Sequence, residues 1–414
     1  MDRFTATYWI ETDFPLEKAI NMMAGEQSTG TFVKVPGETS KVLEQFAAKV
    51  ETIKVLGEVK APSLPFSRRF GGPILQAEVT LSWPLANVGF NLSNLMATVA
   101  GNLFELAPFS GLKLLDISIP EAFRKKYTGS KFGIEGTFQL AGVQGRPIIG
   151  TIIKPSVGLD AKSTAQQVKI LVEAGLDFIK DDELMGSPTY NRFEDRVKAS
   201  MKVINDHALR TGIMPMYAFN VSGSVDEMLA RHDYVLEQGG TCIMASLNWV
   251  GLAALEKLAE HSQLPIHGHR NGWGLFSRHP AIGISFTALS KIWRLAGIDH
   301  LHVNGLRNKF CEPDESVLKS IQALQSPLWT KSDRALPVVS SGQWASQAFD
   351  TYNAVGNTEL MYLCGGGIMG HPDGMVAGVN SIKEAWQAAI EGLDAAAAQA
   401  KFPSVKKAFE FFEK

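Results

Sequence analysis

The run Lys180-Asp181-Asp182-Glu183 ends an apolar segment. Side chains alternate faces along a strand, so Lys180 and Asp182 share one face, and Glu183 sits at the turn, from which it can swing to the same side. Two carboxylates at this spacing suit a hard divalent cation, which takes oxygen ligands and keeps positions open for substrate. A solvated charge cluster would use the same residues. Lys154 ends another apolar run and is followed by Pro155. A lysine there is costly to bury without a partner, which points to a functional ammonium rather than a snorkelling one. His267 alternates with His269, and His300 with His302, so two segments each aim two imidazoles one way. Such a group suits proton shuttling or phosphate donation, and the carboxylates favour a hard cation over zinc. Ser340-Ser341-Gly342 and the glycine-rich stretch with Gly366 and Gly367 end two further segments in small residues. There backbone N–H groups can approach a phosphate.

These groups need a scaffold that brings strand ends together. From about residue 145 the chain alternates strand and helix patterns regularly. Strands are expected at 147–154, 177–182, 214–221, 241–245, 264–269, 300–304, 336–340 and 359–363, with helices at 163–174, 193–211, 225–238 and 252–261 among the connections. Strand–helix units repeated this way over roughly 250 residues match a (β/α)8 TIM barrel, whose chemistry sits where strands end and the following loops begin. Earlier, strand patterns at 5–10, 28–35, 51–59, 76–83 and 112–119 interleave with helical ones at 16–23, 40–50 and 91–104, which suggests a small α+β domain with an antiparallel sheet. The expected class is therefore α/β: an N-terminal α+β (ferredoxin-like) domain over 1–135, then a (β/α)8 barrel with C-terminal helices over 136–414.

Composition bounds the partners. The 414 residues are 45% hydrophobic and 20% charged, ordinary for a soluble globular protein. Forty Lys and Arg against 42 Asp and Glu leave a net charge of -2. Nothing in that balance advertises a nucleic-acid or anionic-membrane surface. Cys242, Cys311 and Cys364 are odd in number and far apart, so a disulfide framework or zinc site is not expected and a reducing cytoplasm is. The first fifteen residues lack a basic start and an apolar core, so a signal peptide is not expected. Nor does any apolar run reach the roughly 18 residues of a membrane span.

Taken together, the run Gly150–Pro155 followed by Gly158-Leu159, Lys180-Asp181-Asp182-Glu183, His269-Arg270, Asp299-His300-Leu301-His302 and the run Gly365–Pro372 resemble ribulose-bisphosphate carboxylase large chains, over nearly the whole length. The resemblance implies that CO2 carbamylates Lys180, and that the carbamate, Asp182 and Glu183 hold Mg²⁺. It implies that Lys154 and His269 move protons at an enediolate, and that Arg270 and His302 contact one substrate phosphate. Ser340, Gly342, Gly366 and Gly367 match the sugar-hydroxyl and second phosphate region. Lys309, seven residues after His302, matches a carboxylate-stabilising lysine on a mobile loop. In the first domain Glu26 and Thr31, within Glu26-Gln27-Ser28-Thr29-Gly30-Thr31, and Asn102, within Gly101-Asn102-Leu103-Phe104, match residues that reach a neighbouring subunit's site. A homodimer with shared active sites is therefore implied, with Glu26 pairing with Lys309, Thr31 touching phosphate and Asn102 lying near the metal.

The departures are also specific. The family's Lys-Pro-Lys reads Lys154-Pro155-Ser156, its tryptophan after the threonine is Phe32, a glycine is replaced by Ser341 and a histidine by Trp273. They liken the chain to Rubisco-like proteins rather than carbon-fixing members. Retention of Lys154-Pro155 and Lys309 resembles the members that act on branched sugar acids. The implied function is Mg²⁺-dependent decarboxylation of a 3-oxo-4-phospho sugar acid, 3-oxo-isoapionate 4-phosphate, through an enediolate. A transcarboxylase/hydrolase on the same compound is the near alternative. Behind it come a 2,3-diketo-5-methylthiopentyl-1-phosphate enolase or isomerase of methionine salvage, a true carboxylase, and a non-catalytic binding protein. The partner implied is a small-molecule sugar phosphate.

Overall fold

The computed structural model describes residues 2–30, 35–127 and 129–413. The chain forms two compact units, one of Met1–Thr128 with Gly272–Trp293, the other of Gly129–Asn271 with Arg294–Lys414.

The strands of the first unit are β1 (Arg3–Thr12), β2 (Lys49–Val59), β3 (Ile74–Pro84) and β4 (Phe109–Ser118). In β1 the residues Phe4, Ala6, Tyr8 and Ile10 are buried and alternate with partly exposed ones, as a strand with one covered face requires. β1 pairs antiparallel with β3 and β4, and β3 with β2. One strand arrives from far along the chain. Ile282–Ile284 runs parallel to β4 at the edge of the sheet, so the sheet is mixed rather than purely antiparallel. The helix expected over 40–50 stops at Phe46, since the backbone turns extended before β2 begins at Lys49. The one expected over 91–104 divides into a helix, Leu92–Val99, capped by the Asn91 side chain, and a 3-10 turn, Asn102–Glu105. Of the strand expected at 28–35, Ser28 and Thr29 lie in a turn, while 31–34 fall outside the described residues.

The second unit is a closed barrel. Its strands are β5 (Ile148–Ile152), β6 (Phe178–Lys180), β7 (Met216–Asn220), β8 (Cys242–Ser246) and β9 (Ile266–His269). Counting Ile282–Ile284 as β10, they continue with β11 (His300–His302), β12 (Leu336–Val339) and β13 (Met361–Leu363). They lie in chain order around the barrel, all pairs parallel, with β9 against β11 because β10 belongs to the other sheet. All eight expected barrel strands are present. They read as continuous apolar runs because helices cover the outside and side chains fill the inside. Ile148, Phe178, Met216, Ala218, Leu336, Val338 and Met361 pack in one cluster with Ile134 of the helix Gly133–Ala141. Asp299, before β11, ties that helix down: its carboxylate accepts from the Phe132, Gly133 and Ile266 amides at 2.7, 3.0 and 2.9 Å. Burial nonetheless raises the Asp299 carboxyl above the usual range. Among the described residues no helix is long and apolar enough to cross a membrane.

Candidate active site at the barrel mouth

β6 ends in Lys180, which is 1% exposed. Its Nζ donates to the Asp181 carbonyl at 2.7 Å and lies 3.8 Å from Glu183 Oε2. Burial lowers the Lys180 pKa against the opposing pull of the Glu183, Asp182 and Asp181 charges, which makes the neutral, nucleophilic amine easier to reach than in a solvent-exposed lysine. Lys154, just past β5, donates from Nζ to Asp182 Oδ2 at 2.6 Å and to Ser156 Oγ at 2.7 Å. Burial would raise the Asp182 carboxyl, but that bond, the Leu184 amide and the two lysine charges hold it low. Glu183 also approaches His269 Nε2 of β9 at 3.4 Å. Its carboxyl is likewise low, because the His269 and Lys180 charges outweigh its burial. His269 is pushed down to about 4 by burial and by Lys180, with Glu183 opposing. Lys154, Lys180, Asp182, Glu183 and His269 thus meet as one cluster of basic and acidic groups.

Asp181 faces the other way. Its carboxylate takes Arg196 Nε at 3.2 Å, the Tyr217 hydroxyl at 2.7 Å and the Asn220 amide at 2.9 Å. Arg196, from the helix Phe193–Thr211, also donates to the Met185, Gly186 and Asn191 carbonyls. It pins the loop that follows Glu183, and Asn220 Nδ2 holds the Glu183 carbonyl at 3.2 Å. Sequence reading missed these supports. The available signal was an arginine on the buried face of its helix, between Phe193 and Val197.

Arg270, 4% exposed, bonds Glu312 Oε2 at 2.7 Å, and Asn304 Nδ2 donates to the same oxygen at 2.6 Å. Glu312 was also missed. It lies on the loop after β11 that carries Lys309, whose amide donates to the Ser341 carbonyl at 3.2 Å. A Cβ at Gly342, where φ is +83°, would come within 3.4 Å of the Lys309 Cβ, so glycine permits both the backbone turn and the close loop. Ser341 adopts a left-handed φ of 74° and donates to Asn304 Oδ1 at 2.7 Å. After β13, Gly366 and Gly367 lie in the short helix Gly365–Met369. A Cβ at Gly366 would meet nothing within 4 Å, whereas one at Gly367 would strike the Gln343 carbonyl at 2.6 Å.

The four imidazoles do not all reach the mouth, which corrects the expectation that they would. His267 and His300 are fully buried, their rings 5.2 and 6.1 Å from Phe178 inside the barrel. Strand alternation put them on the right face, but they lie one layer deeper than His269 and His302. His302 bonds His267 at 2.9 Å and Ser340 Oγ at 2.9 Å, and its ring lies 4.5 Å from His269. In the first unit Asn102 Nδ2 lies 3.5 Å from Glu26 Oε1, and Thr31 is outside the described residues. Trp273 packs there against Phe286 and Trp293, with ring centroids 5.8 and 6.1 Å away.

Among the described residues another set of possible ligands converges: His232, Asp233 and His261. His232 Nε2 accepts the Gln263 amide at 3.1 Å, so its Nδ1 carries the proton and donates to Asp233 Oδ1 at 2.9 Å. His232 therefore has no lone pair left for an ion.

The family models for the ribulose bisphosphate carboxylase large chain match this chain, the catalytic domain over residues 133–412 and the N-terminal domain over 2–123. The chain belongs to that family. It is 48% identical over 415 residues, 99% of each chain, to a 3-oxo-isoapionate-4-phosphate transcarboxylase/hydrolase of Xanthobacter autotrophicus. It is 44% identical over 388 residues, 93% of each, to a 3-oxo-isoapionate-4-phosphate decarboxylase of Rhizobium rhizogenes. A solved Rubisco-like protein from Burkholderia fungorum superposes with a TM-score of 0.93 at 40% identity, covering 99% of this chain and all of that one.

Proposed function

We propose that this chain is a carboxy-lyase that decarboxylates 3-oxo-isoapionate 4-phosphate or a close 3-oxo-4-phospho sugar acid in carbohydrate catabolism. The observation that carries the reading is the cluster of Lys154, Lys180, Asp182, Glu183 and His269 at one barrel mouth, in a chain whose relatives bear those activities. The donor set fits Mg²⁺. Lys180 is a buried amine of lowered pKa beside Glu183, suited to add CO2, and its carbamate with Asp182 and Glu183 would make an all-oxygen set. When bound, Mg²⁺ polarises the ketone and offsets the negative charge that builds on the substrate oxygens. Arg270 and the glycine turn at Gly366 and Gly367 bind the phosphate, and Ser340 and Gly342 line the sugar. Lys309 holds the carboxylate until its C–C bond breaks. The bonding pair then passes through the carbon skeleton to the ketone oxygen as an enediolate, and CO2 leaves. Lys154, steered by Asp182 and Ser156, with His269 beside Glu183, returns the proton to carbon. Glu26, Thr31 and Asn102 complete the neighbouring site in a cytoplasmic homodimer.

A second reading, transcarboxylase/hydrolase on the same compound, is favoured by the 48% relative. One assay separates them. Substrate labelled with ¹³C at the carboxylate releases label as CO2 in the first case and keeps it in a carboxylate product in the second. Ribulose bisphosphate and 2,3-diketo-5-methylthiopentyl 1-phosphate serve as side-by-side substrates. Turnover of the latter alone would reject both readings.

A further inference from the structure

Beneath the mouth a single file of hydrogen bonds runs from the helix Gly133–Ala141 to Ser340, and its direction can be worked out link by link. Thr137 Oγ1 lies 2.5 Å from the Gly133 carbonyl. Two oxygens that close need a proton between them, and a carbonyl has none, so the threonine donates. Thr137 Oγ1 therefore meets His300 Nε2, 2.8 Å away, as an acceptor, and His300 carries its proton on Nε2. A neutral imidazole has one N–H, so His300 Nδ1 is bare, and the His267 Nδ1 facing it at 3.4 Å must be the donor. His267 Nε2 is then bare and accepts from His302 Nε2 at 2.9 Å. His302 Nδ1 is left to accept from Ser340 Oγ, also 2.9 Å away. All three rings are held neutral: burial pushes His267 and His302 far down and His300 to about 3.

We propose that Thr137, His300 and His267 are positioning residues that act as a tautomer lock. The lock commits the Ser340 hydroxyl hydrogen to His302, so Ser340 turns only lone pairs to the mouth and accepts a hydrogen bond from a substrate hydroxyl. The role of Ser340 toward substrate rests on the function proposed above; the lock itself does not. One consequence differs from what family resemblance implies for His302. Its one N–H points down the barrel, so it holds Ser340 rather than donating to a phosphate. The file ends at a backbone carbonyl, which can release no proton, so it fixes orientation and conducts nothing.

The whole protein labelled with ¹⁵N only at histidine, at pH 7.5 and without substrate, tests the lock, because protonated and bare ring nitrogens resonate far apart. Signals assigned by single His→Asn variants should place the proton on Nε2 of His300, Nδ1 of His267 and Nε2 of His302. A proton on His302 Nδ1, or an imidazolium at any of the three, overturns the proposal. Thr137→Val removes the acceptor that anchors the file. All three protons should then move to the opposite nitrogen, and KM for the sugar-acid substrate should rise about tenfold, while Thr137→Ser keeps the parent pattern in both. A lower melting temperature in Thr137→Val without any shift of ring signals would mean that the threonine only packs, and reversed signals with unchanged KM would overturn the role of Ser340. If Thr137→Val does not fold, the parent spectrum still decides the lock. The spectra need no turnover, so they stand even if another substrate proves to be the native one.

Discussion

Lys180 and Asp181 are consecutive, yet one meets the mouth cluster and the other meets the helix layer. Lys180→Ala should abolish turnover with the fold intact, and parent activity should require CO2 together with Mg²⁺. Full activity of the parent in a CO2-depleted assay would reject the carbamate. Asp181→Asn should instead act on stability. Arg196 and Asp181 are both fully buried, and breaking such a pair by neutralising one partner costs about 3–5 kcal/mol, readable as a shift in denaturant midpoint. The imidazoles in the barrel predict a pH effect. Their folded pKa values are depressed, to about 3 for His300, against about 6.5 when unfolded. Between those limits the unfolded chain binds more protons, so stability is full above about pH 6.5 and falls as pH drops, by up to about 1.4 kcal/mol per pH unit for each ring. His300→Asn should flatten that slope by close to one proton between pH 6 and 4, measured by urea unfolding at each pH. The charged residues that end apolar strands were legible because a charge in such a place has few bland explanations. Thr137, Arg196 and Tyr217 were not, since each takes its meaning from a partner far away in the chain.

At the scale of elements, the loop after β11 is the informative one. Glu312 closes it onto Arg270 and Asn304, and Ser316 adds a bond to the other carboxylate oxygen at 2.8 Å. Hydrogen bonds to charged groups contribute about 1.5–3 kcal/mol, so Glu312→Ala should speed amide exchange across 304–311 tenfold or more, with little change in global melting. Unchanged exchange would mean that the loop is held by Asn308 and the Lys309–Ser341 backbone bond instead. Barrel strands and their connecting helices could be read from the sequence because each carries a pattern of its own, an apolar run for a strand covered on both faces and a 3.6-residue period for a helix. β10 could not: Ile282–Ile284 stands outside the strand–helix repeat and pairs with no barrel strand, and it exists because β4 offers an edge.

For the whole molecule, the proposed homodimer with shared sites predicts complementation. Asn102→Ala and Lys180→Ala chains, each inactive alone, should regain part of the activity when mixed, through sites that draw an intact half from each. A mixture that stays inactive although mixed dimers form would reject sharing. The discontinuous first unit makes a separate prediction. A fragment ending at residue 128 lacks β10 and the Trp273, Phe286 and Trp293 cluster, so β4 becomes an open edge of the kind that invites aggregation. Appending 272–293 through a flexible linker should raise its soluble yield; an equally soluble 1–128 fragment would show the edge to be harmless.

That discontinuity also sets a timetable. A ribosome delivers the chain from the N-terminus, and β10 follows β9 and precedes β11. The sheet begun by β1 to β4 therefore waits, with the β4 edge unclosed, until more than half of the barrel strands have been made. Contacts that bridge so much sequence form slowly. The nascent protein is then most exposed to wrong pairings in the interval between β4 and β10, and that interval is where a chaperone would have most to do.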